Sequence, residues 1–386
     1  MATAKPVRSS LLTQLTAQQK QMTATLRRYV ECESPSQTPA ALEAMAALVA
    51  ADFAALGGKA KLHQSKQYGP ALEIAFRGAR RKPHLLLLGH MDTVYPLGTL
   101  STMPWREKAG RLSGPGTFDM KAGIVQALYA LRTLRERGEL PCNITLLLVP
   151  DEEIGSPFSQ PITERTAKKA DAVLVIEPAA GEQGACKTSR KGVARYTLRV
   201  KGVAAHSGLD FARGASAIVE AAHQVLAMSA LSRVKVGLTV NAGVIAGGTR
   251  PNVVADLAEA TFDVRFTKAS QAARVERAIR KAKPQDARCT LEVEGGVERG
   301  CFERTPATAR LYKVAARVAE EMGFALGEAA VGGASDGNLT SSMGIPTLDG
   351  LGGVGDGAHA PHEFVFAHEL PRRAALLAGL IEELGK

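Results

Sequence analysis

Pro83-His-Leu-Leu-Leu-Leu-Gly89 is a short, continuously apolar run that passes directly into His90-Met-Asp-Thr93. A run of this kind reads as a strand buried on both faces, the situation of a parallel sheet covered by helices. Two other segments repeat it. Cys142-Asn-Ile-Thr-Leu-Leu-Leu-Val149 leads into Pro150-Asp-Glu-Glu-Ile-Gly155, and Asp171-Ala-Val-Leu-Val-Ile176 leads into Glu177-Pro178. Met120 to Arg137, between the first two, has the apolar spacing of an amphipathic helix and completes a β-α-β unit. Upstream, Gln21 to Leu56 predicts two helices parted by Ser34-Pro35-Ser36.

Ligands of open α/β sheets bind beyond the carboxyl ends of the strands. That edge is where these runs deliver His90 and Asp92, Glu152 and Glu153, and Glu177. Singly, a strand-end acid is a solvated cap and a lone His a hydrogen-bonded structural residue. Together they form an oxygen- and imidazole-rich set without cysteine, which suits zinc, cobalt or manganese at a catalytic site. His90 and Asp92 lie two apart, so in extended chain both project to one side, and one can ligate while the other orients it. Asp119, in Gly114-Pro-Gly-Thr-Phe-Asp119-Met-Lys-Ala-Gly123, is either the cap of the following helix or a carboxylate bridging two metals. Neighbouring side chains diverge in Asp151-Glu152-Glu153. One Glu can therefore bind metal while the other faces substrate and water, the division that metal-assisted hydrolysis requires.

From about Lys187 the rhythm changes to strand (194–201), helix (214–229), strand (236–245), strand (258–266), helix (270–283) and strand (287–294). That order is the split β-α-β of a ferredoxin-like domain. After Gly300 come a helix (306–322), a Gly-rich stretch (331–357) and a last helix (370–384), which return to the first domain. The expected architecture is α/β, a mostly parallel sheet flanked by helices, formed by residues 1–186 and 301–386 with an α+β domain inserted at 187–300.

The chain has 386 residues, 45% hydrophobic and 22% charged, with room for more than one core. Its apolar runs are too short to span a bilayer. Met1 to Lys20 turns polar where a signal peptide needs an apolar segment, so a cytoplasmic protein is expected. Five dispersed cysteines without a CxxC pair read as free thiols. The net charge of +10 is scattered, with no nucleic-acid-binding motif, and no nucleic-acid or membrane partner is expected.

GHMDTV, GTFDMKAG, DEEIGS, IEP, AAHSG, GGASDGN and AHAPHE occur in that order. They resemble the two-zinc amidohydrolases that include glutamate carboxypeptidase, aminoacylase, acetylornithine deacetylase and succinyl-diaminopimelate desuccinylase, and glutamate carboxypeptidase most of all. The resemblance runs over nearly the whole chain from about residue 20. It implies a zinc-exopeptidase-like catalytic domain and two zinc ions per subunit, with cobalt or manganese able to substitute. One ion would be held by His90, Glu177 and bridging Asp119, the other by Asp119, Glu153 and His359. His359 is preferred to His362 and His368 because His359 to Glu363 matches the His-x-Pro-x-Glu pattern. Glu152 would be the general base and Asp92 the partner of His90, and a cis peptide would follow Asp119. The insertion would serve as lid and dimerisation domain, its His206 polarising the scissile carbonyl, often in the partner subunit's site. Asn252, Arg265, Arg299 and Lys187 stand where relatives hold the polar ends of a substrate, although Arg299 lacks the usual following proline and Lys187 is displaced by two residues. The implied activity is hydrolysis of an amide next to an amino acid with a free carboxylate, on an N-acyl amino acid or dipeptide. An N-acyl amino acid deacylase is the alternative, and a non-catalytic binding relative a third reading.

Overall fold

The computed structural model describes residues 7–386, so the first six residues of the N-terminal stretch lie outside the described residues. The chain divides into two compact units. One comprises residues up to Thr188 together with Arg304–Val331 and Ser335–Lys386, and the other Ser189–Glu303 with Gly332–Ala334.

In the first unit, Arg80–His90 is the strand that organises everything else. Leu85 to Leu88 are all buried because successive side chains enter different layers. Leu85 and Leu87 join the core built by the long helices, whereas Leu86 and Leu88 join a smaller cluster with Ile162 and Ala167. This double burial is why the run shows no polar alternation. Cys142–Val149 and Ala172–Val175 pair with it in parallel on either side, and Thr347–Leu348 extends the sheet in parallel beyond the latter. An antiparallel hairpin, Lys59–His63 with Ala71–Phe76, completes a sheet of six strands among the described residues. The unit is thus mixed α/β with a mainly parallel sheet.

The two expected helices are Gln19–Glu31 and Pro39–Ala54, and Val7–Ala17 precedes them. The helix expected from Met120 begins at Ala122 instead and ends at Glu136. Thr117–Lys121 is a wide turn in which Asp119 (φ −112°, ψ 94°) and Met120 (φ −135°, ψ 34°) leave helical geometry, and the Asp119–Met120 peptide is cis. A second, small sheet pairs Phe364–Phe366 with Arg111–Ser113, flanked by Gly355–Asp356 and Arg106–Lys108.

The second unit is a four-stranded antiparallel sheet in the order Thr239–Gly247, Leu257–Phe266, Gly192–Lys201, Thr290–Arg299. Helices Ala217–Ser229 and Ala269–Arg280 bury Ala221, Met228, Val275 and Ile279 against one face of it. Connection order and sheet order together are ferredoxin-like. The strand expected from residue 236 starts at Thr239, because Val234–Val236 forms a tight turn closed by Gly237 at φ 78°. The last strand runs on to Arg299, which faces Val193. Among the described residues no helix is long and apolar enough to cross a membrane. All five cysteines are free.

Candidate metal centre

His90 ends the central strand and Glu177 lies two residues beyond Ala172–Val175, so parallel neighbours bring both to one edge. His90 Nε2 is 3.1 Å from Asp119 Oδ1 and 3.5 Å from Glu177 Oε1. Its Nδ1 faces Asp92, 3.0 Å from the carbonyl oxygen and 3.3 Å from Oδ1, which leaves Nε2 turned toward the acids. The Asp92 carboxylate also accepts Ser36 Oγ at 2.7 Å and the backbone N–H groups of Glu152 and Glu153, each at 3.2 Å. One buried acid therefore fixes the imidazole and the strand-end turn carrying both glutamates.

That turn, Glu152–Ile154, follows Cys142–Val149 after Pro150 and Asp151. Asp151 is buried and accepts the N–H groups of Phe158 and Ser159 at 2.7 and 3.2 Å, a structural part in closing the loop. Glu153 reaches His359, Oε2 to Nε2 being 3.0 Å, and His359 Nε2 is 3.5 Å from Asp119 Oδ2. Asp119 thus offers one oxygen to each histidine. His359 is held at φ 64°, a left-handed conformation unusual for a residue with a Cβ and typical of functional sites.

The small sheet explains why His359 arrives beside Asp119. Pairing of Phe364 with Ser113 lays the segment before Phe364 alongside the turn after Ser113. Glu363, wholly buried, then accepts N–H bonds from Gly116, Phe118 and Asp119 at 3.0, 2.7 and 2.9 Å. Tyr95 Oη donates to Ala360 O at 3.0 Å on the same segment. Glu363 and Ser36 have no role in the sequence reading, although Glu363 closes the His-x-Pro-x-Glu match. Ser156 and Asp336 form a further link, Oγ to Oδ1 at 2.6 Å, between the glutamate loop and helix Asp336–Ser342.

The electrostatics are those of acids packed closely around two imidazoles. Burial alone would depress His90, but hydrogen bonds with Asp119, Asp92 and Glu177 outweigh it and raise its pKa well above the usual value. Hydrogen bonds with Asp119 and Glu153 hold His359 up to about 10. Desolvation raises Glu153, and raises Glu363 to about 7. Glu153 Oε1 is buried without a hydrogen-bond partner among the described residues. A buried orphan carboxylate oxygen is costly unless a cation meets it. His90, Asp119 and Glu153 bring ligand atoms within 4.8 Å of one another, as do His90, Glu152 and Glu177. The donor set, imidazole and carboxylate without thiolate, fits zinc, cobalt or manganese. Glu152 stands close enough to the ligand atoms to reach whatever is bound there.

The remaining residues singled out in the sequence belong to other elements. Lys187, in the first unit, is on strand Cys186–Arg190, its N–H donating to Asp349 O at 2.8 Å. In the second unit, exposed His206 pairs across from Val253, and Ser207 N donates to Asn252 O at 3.1 Å, which makes His206 and Asn252 neighbours. Arg265 and Arg299 flank Val193 in the sheet. Arg299 is buried, whereas the Arg265 guanidinium grips Asp263 at 2.8 and 3.0 Å in its own strand.

Residues 86–383 match peptidase family M20/M25/M40. Carboxypeptidase G2 of Pseudomonas sp. (strain RS-16) is 32% identical over 312 residues, 78% of this chain and 74% of that protein. The uncharacterized protein YqjE of Bacillus subtilis (strain 168) is 26% identical over 318 residues, 80% of this chain and 83% of the other. The solved aminopeptidase PepT of Bacillus cereus ATCC 10987 has the same fold, with a TM-score of 0.80, 24% identity and coverage of 95% and 99%. For the M20 family metallo-carboxypeptidase Sso-CP2 of Sulfolobus solfataricus the TM-score is 0.70, with 17% identity and coverage of 94% and 99%. The matched segment begins inside the central strand and takes in every histidine and acid gathered at its carboxyl edge, and the chain accordingly belongs to peptidase family M20/M25/M40 and is a hydrolase.

Proposed function

We propose that the cluster binds two divalent metal ions and that the protein hydrolyses an amide bond next to an amino acid with a free carboxylate, as a glutamate carboxypeptidase does. The observation that carries this reading is Asp119, with one oxygen 3.1 Å from His90 Nε2 and the other 3.5 Å from His359 Nε2. Such a carboxylate stands ready to bridge. His90 and Glu177 would hold one ion with it, and Glu153 and His359 the other. A bound pair of zinc ions supplies water acidified toward pKa ~7 and an electrophilic pull on the substrate carbonyl.

Glu152 takes a proton from the attacking water and delivers it to the departing amine. Asp92 keeps the His90 ring turned and the Glu152 main chain fixed while this happens. His206 polarises the scissile carbonyl, and Arg299, with Asn252, Arg265 and Lys187, receives the substrate carboxylate. Burial suits Arg299 to a bidentate grip, and the Arg265 bond to Asp263 makes it the weaker candidate of the two. The likeness to carboxypeptidase G2 supports carboxypeptidase chemistry. An N-acyl amino acid deacylase would use the same groups.

The molecule is read as a cytoplasmic homodimer with no membrane or nucleic-acid partner. Among the described residues strand Thr239–Gly247 is a sheet edge without a further strand partner, and exposed Val244 and Ile245 on it, with exposed Ile218, Val219 and Leu226 on helix Ala217–Ser229, favour pairing with a second copy.

The test compares an N-acylglutamate with its α-carboxyl amide, using zinc-loaded protein. The free acid should be cleaved at least tenfold faster in kcat/KM, and Arg299→Ala should erase most of that difference. Equal rates for the two substrates in the wild type would reject carboxylate recognition.

A further inference from the structure

Arg373 lies in helix Glu369–Leu384 and is almost wholly buried, yet among the described residues no carboxylate pairs with it. Glu369, one helical turn before it, is engaged by Arg372 at 2.7 Å. The Arg373 guanidinium donates to three main-chain carbonyls instead: Nε to Gly352 O at 3.1 Å, Nη1 to Gly184 O at 2.8 Å, and Nη2 to Gly350 O. A cation taken out of water without an acid beside it is costly. Its neighbours Ala374, Ala375, Leu376 and Leu377 fill the same helix with buried apolar side chains.

The three carbonyls belong to two segments that meet at Glu177, all within the first compact unit. Gly350 and Gly352 lie on a strap that runs along the chain leaving strand Ala172–Val175. Leu351 N donates to Val175 O at 3.2 Å, Gly352 N to Glu177 O at 2.8 Å, and Ala179 N to Gly353 O at 2.8 Å. The approach leaves no room for a side chain, since a Cβ on Gly352 would stand 2.2 Å from Ile176 O and 2.8 Å from Glu177 O. Gly184 lies in the turn that follows Glu177, which Ala180 and Ala185 close with N–H to O bonds of 2.8 and 3.0 Å. Arg373 thereby ties the strap that pairs with the Glu177 main chain to the turn into which that chain runs.

We propose, on the two-metal reading above, that Arg373 is a positioning residue: it fixes the Glu177 main chain so that the carboxylate meets the ion shared with His90 and Asp119, and its loss weakens that ion alone. A planar fork suits the task. Its N–H donors, held in one plane, reach carbonyls on separate segments at once, whereas a lysine ammonium is a compact point charge. Groups that orient metal ligands without touching the metal typically govern its affinity by ~10- to 100-fold.

The experiment titrates chelator-stripped protein with zinc against a competing chelator and reads a dissociation constant for each ion. The proteins are wild type, Glu177→Ala, Arg373→Met, Arg373→Lys and the double variant Glu177→Ala with Arg373→Met. Glu177→Ala marks the constant that belongs to the ion at His90. Arg373→Met should weaken that ion ~10- to 100-fold and leave the other within about threefold. Arg373→Lys, which keeps the charge and loses the fork, should fall between wild type and Arg373→Met. In the double variant the Arg373 change should add no further loss, because it acts through Glu177. Equal weakening of both ions, or a full additional loss in the double variant, would make Arg373 a packing residue and overturn the inference. Should Arg373→Met fail to fold, Arg373→Lys decides, and unchanged constants in it would overturn the inference while the two-metal reading stands. A wild type that takes up no zinc would instead remove that reading and the positioning role with it.

Discussion

Asp92 shows how much one buried carboxylate can organise. It meets His90 Nδ1, the Ser36 hydroxyl and two backbone N–H groups of the glutamate turn. Of these contacts, the sequence made the His90 pair legible, because residues two apart in extended chain share a side. The links to Ser36 and to the turn were not legible, since their partners lie 56 and 60 residues away. The proposed division of labour between Glu152 and Glu153 belongs to the same scale. Glu152→Ala should lower kcat by ~10² to 10⁴ with metal content nearly unchanged, as loss of a proton carrier does. Glu153→Ala should bind one metal equivalent fewer by elemental analysis. Variants that both keep their metals and their rates would dissolve the distinction.

Turns and short strands, more than the long elements, bring the ligands together. The apolar runs betrayed the parallel strands, but strands of two or three residues such as Phe364–Phe366 and Arg111–Ser113 carry no periodicity to read. Glu363, which locks the Asp119 turn to the His359 segment, was hidden for that reason. Glu363→Ala would strand the N–H groups of Gly116 and Phe118, in buried bonds, and of part-buried Asp119, at roughly 1 to 3 kcal/mol for each buried one before relaxation. The expected result is a protein that folds less stably and holds zinc at least tenfold more weakly by competitive chelator titration. Unaltered zinc affinity would mean that the turn keeps its shape without Glu363. Gly123 makes the matching point for the helix. A Cβ there would lie 2.0 Å from Ile176 O, so the helix can approach the strand end only because the side chain is absent. Gly123→Ala should cost about 1 to 3 kcal/mol in denaturant unfolding, since a main-chain oxygen cannot rotate away. A midpoint equal to that of the wild type would show that the approach is looser.

At the scale of the molecule, the order strand-helix-strand-strand-helix-strand sufficed to read the ferredoxin-like unit, while its strand ends shifted by several residues where tight turns intervene. What covers the exposed apolar residues of its edge strand and first helix is not written in one chain's periodicity. If a second copy covers them, the wild type sediments as a dimer and Ile218→Asp with Leu226→Asp sediments as a monomer. A monomeric wild type at micromolar concentration would remove the dimer. The central claim, that acids and imidazoles from strand ends, turn and small sheet hold two catalytic metal ions, is met most directly by one titration. Protein stripped by a chelator is returned stepwise to zinc while hydrolysis of an N-acylglutamate is followed. The account predicts no rate at zero metal, recovery as zinc is added, and a plateau at two equivalents per chain; full turnover by the rigorously stripped protein would contradict it.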